Sequence, residues 1–177
     1  RIDPHRMGIK ELYFKKCKIV QAPDLLARNR VFAKKIYHCL RYPLKERNRN
    51  YTYPVLSENE AGPEELGRSN FIVVMDAGNL NDFQAELLRR FGLAAGSREL
   101  SYGHQVFSGE YFALIKTPNC FNPEWNTLIV IFNSATLEDE LIRFLNNFDY
   151  DGLFYSDAVV YHQGKYVSFR ATPVTDD

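Results

Sequence analysis

The sequence predicts a single three-layer α/β domain with a mostly parallel sheet and an antiparallel hairpin at its C-terminal edge. Three observations within residues 70–92 predict this class. Residues 71–75, FIVVM, form a continuous apolar run, which is typical of a strand covered on both faces. Residues 76–79, DAGN, supply turn-forming side chains. An amphipathic helix follows at once, and a strand that leads into a helix is half of a βαβ unit.

One apolar stripe defines that helix. Its members recur at spacings of three, four and four residues, which places them on one face: Leu80, Phe83, Leu87 and Phe91. Asn79 or Asn81 is the predicted N-cap, and Gly92 is the predicted residue in the left-handed conformation after the last turn. The strand, the loop and the helix therefore all have defined ends.

The elements before this unit are less regular. Residues 18–21 predict a short strand, and a helix is predicted from residue 23 to about residue 42, ended by Pro43. Residues 51–56 predict an edge strand, because Pro54 lacks a backbone donor. Residues 57–69 predict a loop with one helical turn at 63–66.

The elements after it end in a hairpin. Apolar and polar residues alternate over residues 99–107, which predicts a strand. Gly109-Glu110 is the predicted turn, and residues 111–116 are the next predicted strand. A polar loop, 117–126, leads to an apolar strand at 127–132. The last helix is predicted to start at a capping box of Thr136 and Asp139. A final hairpin, 157–169, turns at Gln163-Gly164.

Length and composition fit one globular domain. The chain has 177 residues, 45% of them hydrophobic, which is enough for a substantial core. We expect a single α/β domain over residues 17–177, and an N-terminal arm or an expression remnant over residues 1–16. Because the chain begins at Arg1, we expect either a piece of a longer protein or a remnant at residues 1–6 ahead of a start at Met7.

The formal net charge is zero, but the charges are unevenly distributed. Residues 1–50 contain 14 Lys or Arg and four Asp or Glu, whereas the acidic residues predominate from residue 51 onward. One interpretation is an anion or nucleic-acid binder that uses the basic residues 1–50. The alternative is that the two halves of one domain neutralise each other. No nucleic-acid motif accompanies Arg28, Lys34 and Lys35, so a nucleic-acid partner is not expected.

Several other classes of function are not supported. The three cysteines, Cys17, Cys39 and Cys120, lack the spacing of a zinc site. No apolar run approaches the ~20 residues of a membrane span. Neither a P-loop nor a dinucleotide fingerprint is present, and the sequence predicts no metal and no cofactor.

Asp76 is the best candidate for chemistry. It ends a buried strand at the edge where open α/β sheets bind ligands, with Gly78, Asn79 and Asp82 close behind it. These residues predict a carboxylate that handles a metal or phosphate at a helix N-terminus. The alternative interpretation is a turn and a helix cap, where the same residue types are commonly found.

The loop at 117–126 is the second candidate. Asn119 and Asn122 with Trp125 combine amide groups and an aromatic platform, which suits a sugar or a peptide. The alternative is that both asparagines bond the backbone of the loop and that Trp125 covers the core.

The remaining candidates are acidic residues and histidines. Asp149, Asp151 and Asp157 are close in sequence and suit either acid–base work or a polar turn. His104, in a predicted loop or hairpin, is the only histidine in a setting that suits a catalytic base. No serine lies in the nucleophile elbow of a hydrolase.

One stretch resembles a known family. Residues 117–135, TPNCFNPEWNTLIVIFNSA, combine Pro118-Asn119 and Asn122-Pro123 with an apolar strand and a small polar end. They resemble the signature of an α/β module found beside hydrolase-like domains in larger bacterial, often exported, proteins. The passages at 62–81 and 102–107 are similar to segments of that module in the same order, so the resemblance covers residues 17–169. At residues 76–78, DAG replaces a Gly-Gly-Pro-like turn, and a shared ligand at this turn is not implied.

The resemblance implies a flavodoxin/Rossmann-like accessory module whose partner is a neighbouring domain of the same parent chain. Our first hypothesis is therefore a non-catalytic accessory or interaction module. The second is a small hydrolase or phosphate-binding enzyme that uses Asp76. The third is the anion or nucleic-acid binder.

Overall fold

The computed structural model describes residues 8–14, 16–41, 52–147 and 150–170. Its strands, in chain order, are β1 (Cys17–Gln21), β2 (Val55–Ser57), β3 (Asn70–Asp76), β4 (Ala94–Ala95), β5 (Glu99–Tyr102), β6 (Gln105–Ser108), β7 (Tyr111–Pro118), β8 (Asn126–Phe132), β9 (Ala158–His162) and β10 (Lys165–Phe169). Its α-helices are α1 (Pro23–Arg28), α2 (Arg30–Arg41), α3 (Pro63–Leu66), α4 (Asp82–Phe91) and α5 (Glu138–Asn146). Short 3₁₀ helices span Gly8–Phe14, Ala135–Leu137 and Tyr150–Tyr155.

Seven strands form the main sheet, in the order β10-β9-β7-β8-β3-β1-β2. The pairings of β8, β3, β1 and β2 are parallel, and those of β8 with β7, β7 with β9 and β9 with β10 are antiparallel. Five strands therefore run in one direction, and only β7 and β10 run in the other. The predicted α/β class and mostly parallel sheet are confirmed, and the hairpin of β9 and β10 lies at the edge.

Each face of the main sheet carries its own core. Alternate residues of β3 and β8 point to opposite faces, so Ile72 and Val130 belong to one core and Val73 and Ile129 to the other. The first core is covered by α1, α2 and α5, and the second by α3, α4 and the small sheet. Residues 70–75 of β3 are all buried, as their apolar run predicted for a strand covered on both faces.

The prediction of one helix from residue 23 to about residue 42 is wrong in one respect, because the structure has two helices there, α1 and α2. The break is at Asn29, whose φ of −142° and ψ of 74° are not helical. The side-chain oxygen of Asn29 accepts a hydrogen bond from the backbone N–H of Phe32, at 3.2 Å, as an N-cap does. Asparagine competes with the helical backbone in this way, and the apolar stripe continues on both sides of the break.

The strand predicted over residues 99–107 is also wrong, because it is a hairpin in a separate sheet. β5 and β6 pair across Gly103-His104, and β4 completes a three-stranded antiparallel sheet. Gly103 and His104 have φ angles of 58° and 66°, as a two-residue type I′ turn requires. The loop or hairpin setting predicted for His104 is therefore confirmed, whereas the unbroken alternating strand over residues 99–107 is not.

Of the predicted ends of the other helices, those of α4 are confirmed and the start of α5 is wrong. Asn81 caps α4 by accepting from the N–H of Gln84, and Gly92 has the expected left-handed φ of 68°. The capping box predicted at Thr136 and Asp139 is wrong. Ser134 caps the preceding 3₁₀ turn instead, and α5 begins at Glu138 without a side-chain cap. The turn predicted at Gln163-Gly164 is confirmed.

The segment before β1 contributes to the core. Ile9 and Leu12, which lie within the stretch predicted as an arm, are fully buried against the first core. The N–H of Ile9 donates to the carbonyl of Ser156, at 2.9 Å. Among the described residues, no helix has the length and apolar character needed to cross a membrane.

Candidate functional site

The carboxyl ends of β1 and β3 are the place where this topology would hold a ligand. The two strands are neighbours, but β1 connects outward to β2 whereas β3 connects toward the centre of the sheet. Connections that diverge in this way leave a crevice at the carboxyl ends of the strands. Asp76 is the last residue of β3, so its predicted position at this edge is correct.

The Asp76 carboxylate accepts three hydrogen bonds. One oxygen accepts from the backbone N–H of Gly78, at 2.9 Å. The other accepts from the amide of Asn79 and the guanidinium of Arg28, each at 3.1 Å. Asp76 therefore ties its own turn to α1, and the Asp76 side chain is only 16% exposed.

Asn81 is the centre of a second set of hydrogen-bonded side chains, next to the set around Asp76. While its oxygen caps α4, its amide nitrogen donates to Glu58 at 2.7 Å and to Asp24 at 3.1 Å. Gln84, which is buried, donates to the other oxygen of Glu58 at 2.8 Å. These bonds join the first turns of α1 and α4 to the loop after β2.

Glu138, the first residue of α5, is another acidic residue of this edge. Burial raises its pKa, and the nearby carboxylates of Asp139 and Asp76 act in the same direction. A hydrogen bond from the amide of Asn29, at 2.6 Å, partly opposes them. The residue that breaks the predicted long helix thus also ties α1 and α2 to α5.

The carboxyl edge therefore brings together two groups of mutually bonded side chains. Every side chain just described at this edge has a partner in another element or in its own turn. Within the described ranges, no group of three or more His, Cys, Asp or Glu is arranged to hold a metal ion. This arrangement suits the joining of helices to the sheet better than the activation of a substrate.

Two of the predicted catalytic residues lie away from these bonds. Asp82 is exposed in the first turn of α4. His104 is exposed at the tip of the β5–β6 hairpin, and its neighbour Gly103 lies beside Asn126, at the amino end of β8. Asp76 pairs with Phe132 at the other end of that strand, about 20 Å away at ~3.3 Å per residue. His104 and Asp76 do not form one site.

The amide groups of the asparagine loop bond to the backbone of the chain. Asn119 is 2% exposed, and its amide nitrogen donates to the carbonyls of Leu66 and Ser69, at 2.7 and 3.1 Å. Its oxygen accepts from the N–H groups of Phe121 and Asn122, at 2.9 and 3.4 Å. All four bonding positions of the amide are thus used by backbone.

Asn122 and Trp125 complete that loop. Asn122 donates to the carbonyl of Gly67, at 3.0 Å, and accepts from the N–H of Glu124. Trp125 is 38% exposed, and its backbone closes the loop by bonding Asn119 and Asn122. The loop is thus fastened to the segment between α3 and β3.

An open cleft of about 500 Å³ lies at the amino ends of the parallel strands. We call it the amino-edge cleft. Phe169 and Gly103 form part of its wall, and its polar lining is Tyr102, Lys116, Thr117, Asn126, Asp157 and Arg170. Apart from Asp157, the sequence singled out none of these as site residues, because they come from distant parts of the chain and follow no local motif.

Asp157 was predicted in a cluster with Asp149 and Asp151. Asp149 and the side chain of Asp151 lie outside the described part of the chain, so that cluster stays a prediction. Of the basic side chains predicted as an anion-binding patch, Arg28 pairs with Asp76, whereas Lys34 and Lys35 are exposed on the outer face of α2.

Fold and edge geometry together define a mixed α/β domain with a seven-stranded main sheet. No family model and no curated protein matches the sequence.

The network at Asn81 gives a testable prediction. Aspartate caps helices as well as asparagine does, yet Asn81→Asp is expected to destabilise the domain by about 1–2 kcal/mol. The substitution removes the two donors to Asp24 and Glu58 and adds a third carboxylate. Urea denaturation at neutral pH measures the loss, and protonation should reduce it as the pH falls below ~4.

Asn81→Ser is the matched control, because serine keeps the cap without adding a charge. An Asn81→Asp variant as stable as the Asn81→Ser variant would show that the two neighbouring carboxylates do not act on this position.

Proposed function

We propose that this domain is a non-catalytic accessory or interaction module of a larger protein. The observation that carries the proposal is the set of bonds to Asp76. The carboxylate best placed for chemistry accepts from Arg28, Gly78 and Asn79. A general base or a nucleophile needs a free lone pair directed at a substrate, and these three bonds occupy most of the roughly four acceptor positions of the Asp76 carboxylate.

The strand order supports the finer part of the proposal, a flavodoxin-like arrangement. Counted along the chain, the four adjacent parallel strands β1, β2, β3 and β8 lie in the order 2-1-3-4. Doubly wound folds of the flavodoxin type begin in the same order. The antiparallel strands beyond β8 extend this arrangement, as does the small sheet on the second face.

The resemblance at residues 117–135 is the second line of support. It connects the domain with modules that lie beside hydrolase-like domains in bacterial, often exported, proteins. The partner we propose is therefore a neighbouring domain of the same parent chain. In the described structure, Asn119 and Asn122 of that stretch bond the loop to the segment between α3 and β3. This structural role does not depend on which partner the module binds.

Replacement of Asp76 tests the proposal. Asp76→Ala should cost about 1–2 kcal/mol of stability, because three bonds to a mostly buried carboxylate are lost. We expect the rates with p-nitrophenyl phosphate and p-nitrophenyl acetate to stay at the level of the buffer, both for this variant and for the unaltered protein. Chemical denaturation and absorbance at the p-nitrophenolate band measure the two effects.

Asp139→Asn is the matched control, since Asp139 is an exposed carboxylate at the same sheet edge. It should change stability by less than ~0.5 kcal/mol. Turnover by the unaltered protein that disappears in Asp76→Ala and persists in Asp139→Asn would overturn the proposal in favour of the hydrolase hypothesis.

A further inference from the structure

The amino-edge cleft is separate from the carboxyl edge and contains none of the groups bonded to Asp76. Its volume of about 500 Å³ is within the ~300–1,000 Å³ range of small-molecule sites. It is built by the ends of β7 and β10, the starts of β8 and β9, and the β5–β6 turn. Because five elements converge there, its shape depends on the whole fold.

The wall of the cleft is aromatic. The rings of Tyr102 and Phe169 meet edge to face, with centroids 4.9 Å apart and an interplanar angle of 79°. Phe169 also lies over Gly103, where an added Cβ would be 2.6 Å from its ring. This close contact and the positive φ of Gly103 both favour glycine at the turn.

The polar lining contains both donors and acceptors. Arg170 and Asn126 carry N–H groups, Asp157 carries a carboxylate, and Thr117 carries a hydroxyl. Burial raises the pKa of Tyr102, with Asp157 acting in the same direction, so its phenol stays protonated at neutral pH. A ligand that both donates and accepts at several points matches this set best.

The charges in the cleft are balanced. The ammonium of Lys116 is paired with the carboxylate of Glu11, and both side chains are nearly buried. The other charged residues of the described lining are Arg170 and Asp157, which have opposite signs. Within the described lining, a multiply charged anion would meet the Asp157 carboxylate as well as the Arg170 guanidinium, whereas a neutral ligand meets no such opposition.

One buried group beside the cleft lacks a partner. Thr127 is fully buried, and among the described residues its hydroxyl makes no hydrogen bond. Thr127 lies directly opposite Thr117 in the register of β7 and β8, on the same face of the sheet. A buried hydroxyl without a partner is costly, and Thr127 directly follows the lining residue Asn126.

We propose that the amino-edge cleft binds a neutral carbohydrate. The C–H face of a sugar ring packs on the Tyr102 and Phe169 wall, where apolar surface is available. The hydroxyls of the sugar donate to Asp157 and accept from Arg170 and Asn126. The site would give the module a binding role that does not depend on the chemistry of Asp76.

Titration followed by ¹H–¹⁵N NMR tests this proposal. The probes are methyl glycosides of glucose, galactose, mannose and N-acetylglucosamine, with cellobiose, maltose and chitobiose. Acetate and inorganic phosphate are the charged probes. At least one saccharide should produce saturating shifts at the amides of Gly103, Thr117 and Asp157, and none at Gly78. Asp157→Asn should weaken binding about tenfold or more, since it removes a charged acceptor.

Arg170→Gln provides a second variant at an exposed position and should weaken binding several-fold. Glu99→Gln is the matched control, because Glu99 is an exposed carboxylate of the small sheet outside the lining. It should bind as the unaltered protein does, and all variants should keep its thermal unfolding midpoint within a few degrees.

Two results would overturn the carbohydrate proposal. One is the absence of shifts at the cleft with every saccharide. The other is that acetate or phosphate shifts these amides when the saccharides do not, with loss of the effect in Arg170→Gln, which would make the cleft an anion site. Neither result bears on the Asp76→Ala assay, so failure of this inference is distinguishable from failure of the proposed function.

Discussion

Replacement of Asn119 by alanine is expected to destabilise the domain by about 3–5 kcal/mol. The substitution leaves two carbonyls and two N–H groups without the amide that now bonds them, and an unpaired buried polar group costs ~1–3 kcal/mol. Water entering the loop would bond some of these groups, so the total loss of stability is smaller than the sum of four full penalties. Urea denaturation followed by circular dichroism measures the change in the free energy of unfolding.

Asn122→Ala is the comparison in the same loop. Asn122 is partly exposed and makes two side-chain bonds, so its loss should cost about 1–2 kcal/mol. Equal effects at the two positions would contradict a special bridging role for Asn119.

Asn119→Asp adds a test with a defined pH dependence. The aspartate would face the carbonyls of Leu66 and Ser69, and burial beside them should raise its pKa above the unfolded value. The native state then binds the proton more tightly than the unfolded state does. The variant should therefore be most stable at low pH and lose stability as the pH rises through the unfolded and then the folded pKa. A flat profile relative to the unaltered protein would argue against burial of this side chain.

The second large effect is expected at the ion pair between Glu11 and Lys116. The two side chains are 10% and 12% exposed, so removal of one takes this ion-pair contact away from an almost buried charge. Glu11→Gln and Lys116→Met should each cost about 3–5 kcal/mol, the range for breaking a buried pair. Chemical denaturation of both variants measures these losses.

The double variant measures how much of the stability loss comes from the interaction between Glu11 and Lys116 themselves. Because neither charge then remains buried alone, Glu11→Gln with Lys116→Met should lose less stability than the two single variants summed, with a coupling of about 1–3 kcal/mol. Single-variant losses below ~1 kcal/mol, with no coupling, would instead be the behaviour of an exposed pair. Such a result would contradict the docking of the 3₁₀ helix Gly8–Phe14 against the end of β7.

Much of the fold could be predicted from local patterns. The apolar run of β3 required cover on both faces, and Gly92 marked the C-terminal end of α4, whereas the N-cap was narrowed only to Asn79 or Asn81. Asn29 shows where such reasoning stops. The apolar stripe of α1 and α2 continues past it, so periodicity alone predicts one helix, whereas its side chain caps a second one and bonds Glu138, 109 residues away.

The candidate sites were less accessible to local reasoning. Asp76 was placed correctly at the carboxyl edge, but its partner Arg28 is 48 residues away in sequence. The residues of the amino-edge cleft are spread from Tyr102 to Arg170, and they form no local motif in the sequence. Side chains of this kind become a site only after the strand order has brought their elements together.

The amino-acid sequence by itself determined the α/β class, the doubly covered β3 strand, the C-terminal end of α4 and the turn of the final hairpin. These depend on periodicity and on backbone preferences that act within a few residues. Only the tertiary structure decided what Asn119, Lys116 and Asp157 do, and that β5 and β6 form a sheet of their own. Those outcomes depend on which groups meet across the sheet, and the burial of such groups decides whether a hydrogen bond or a charge contributes to stability.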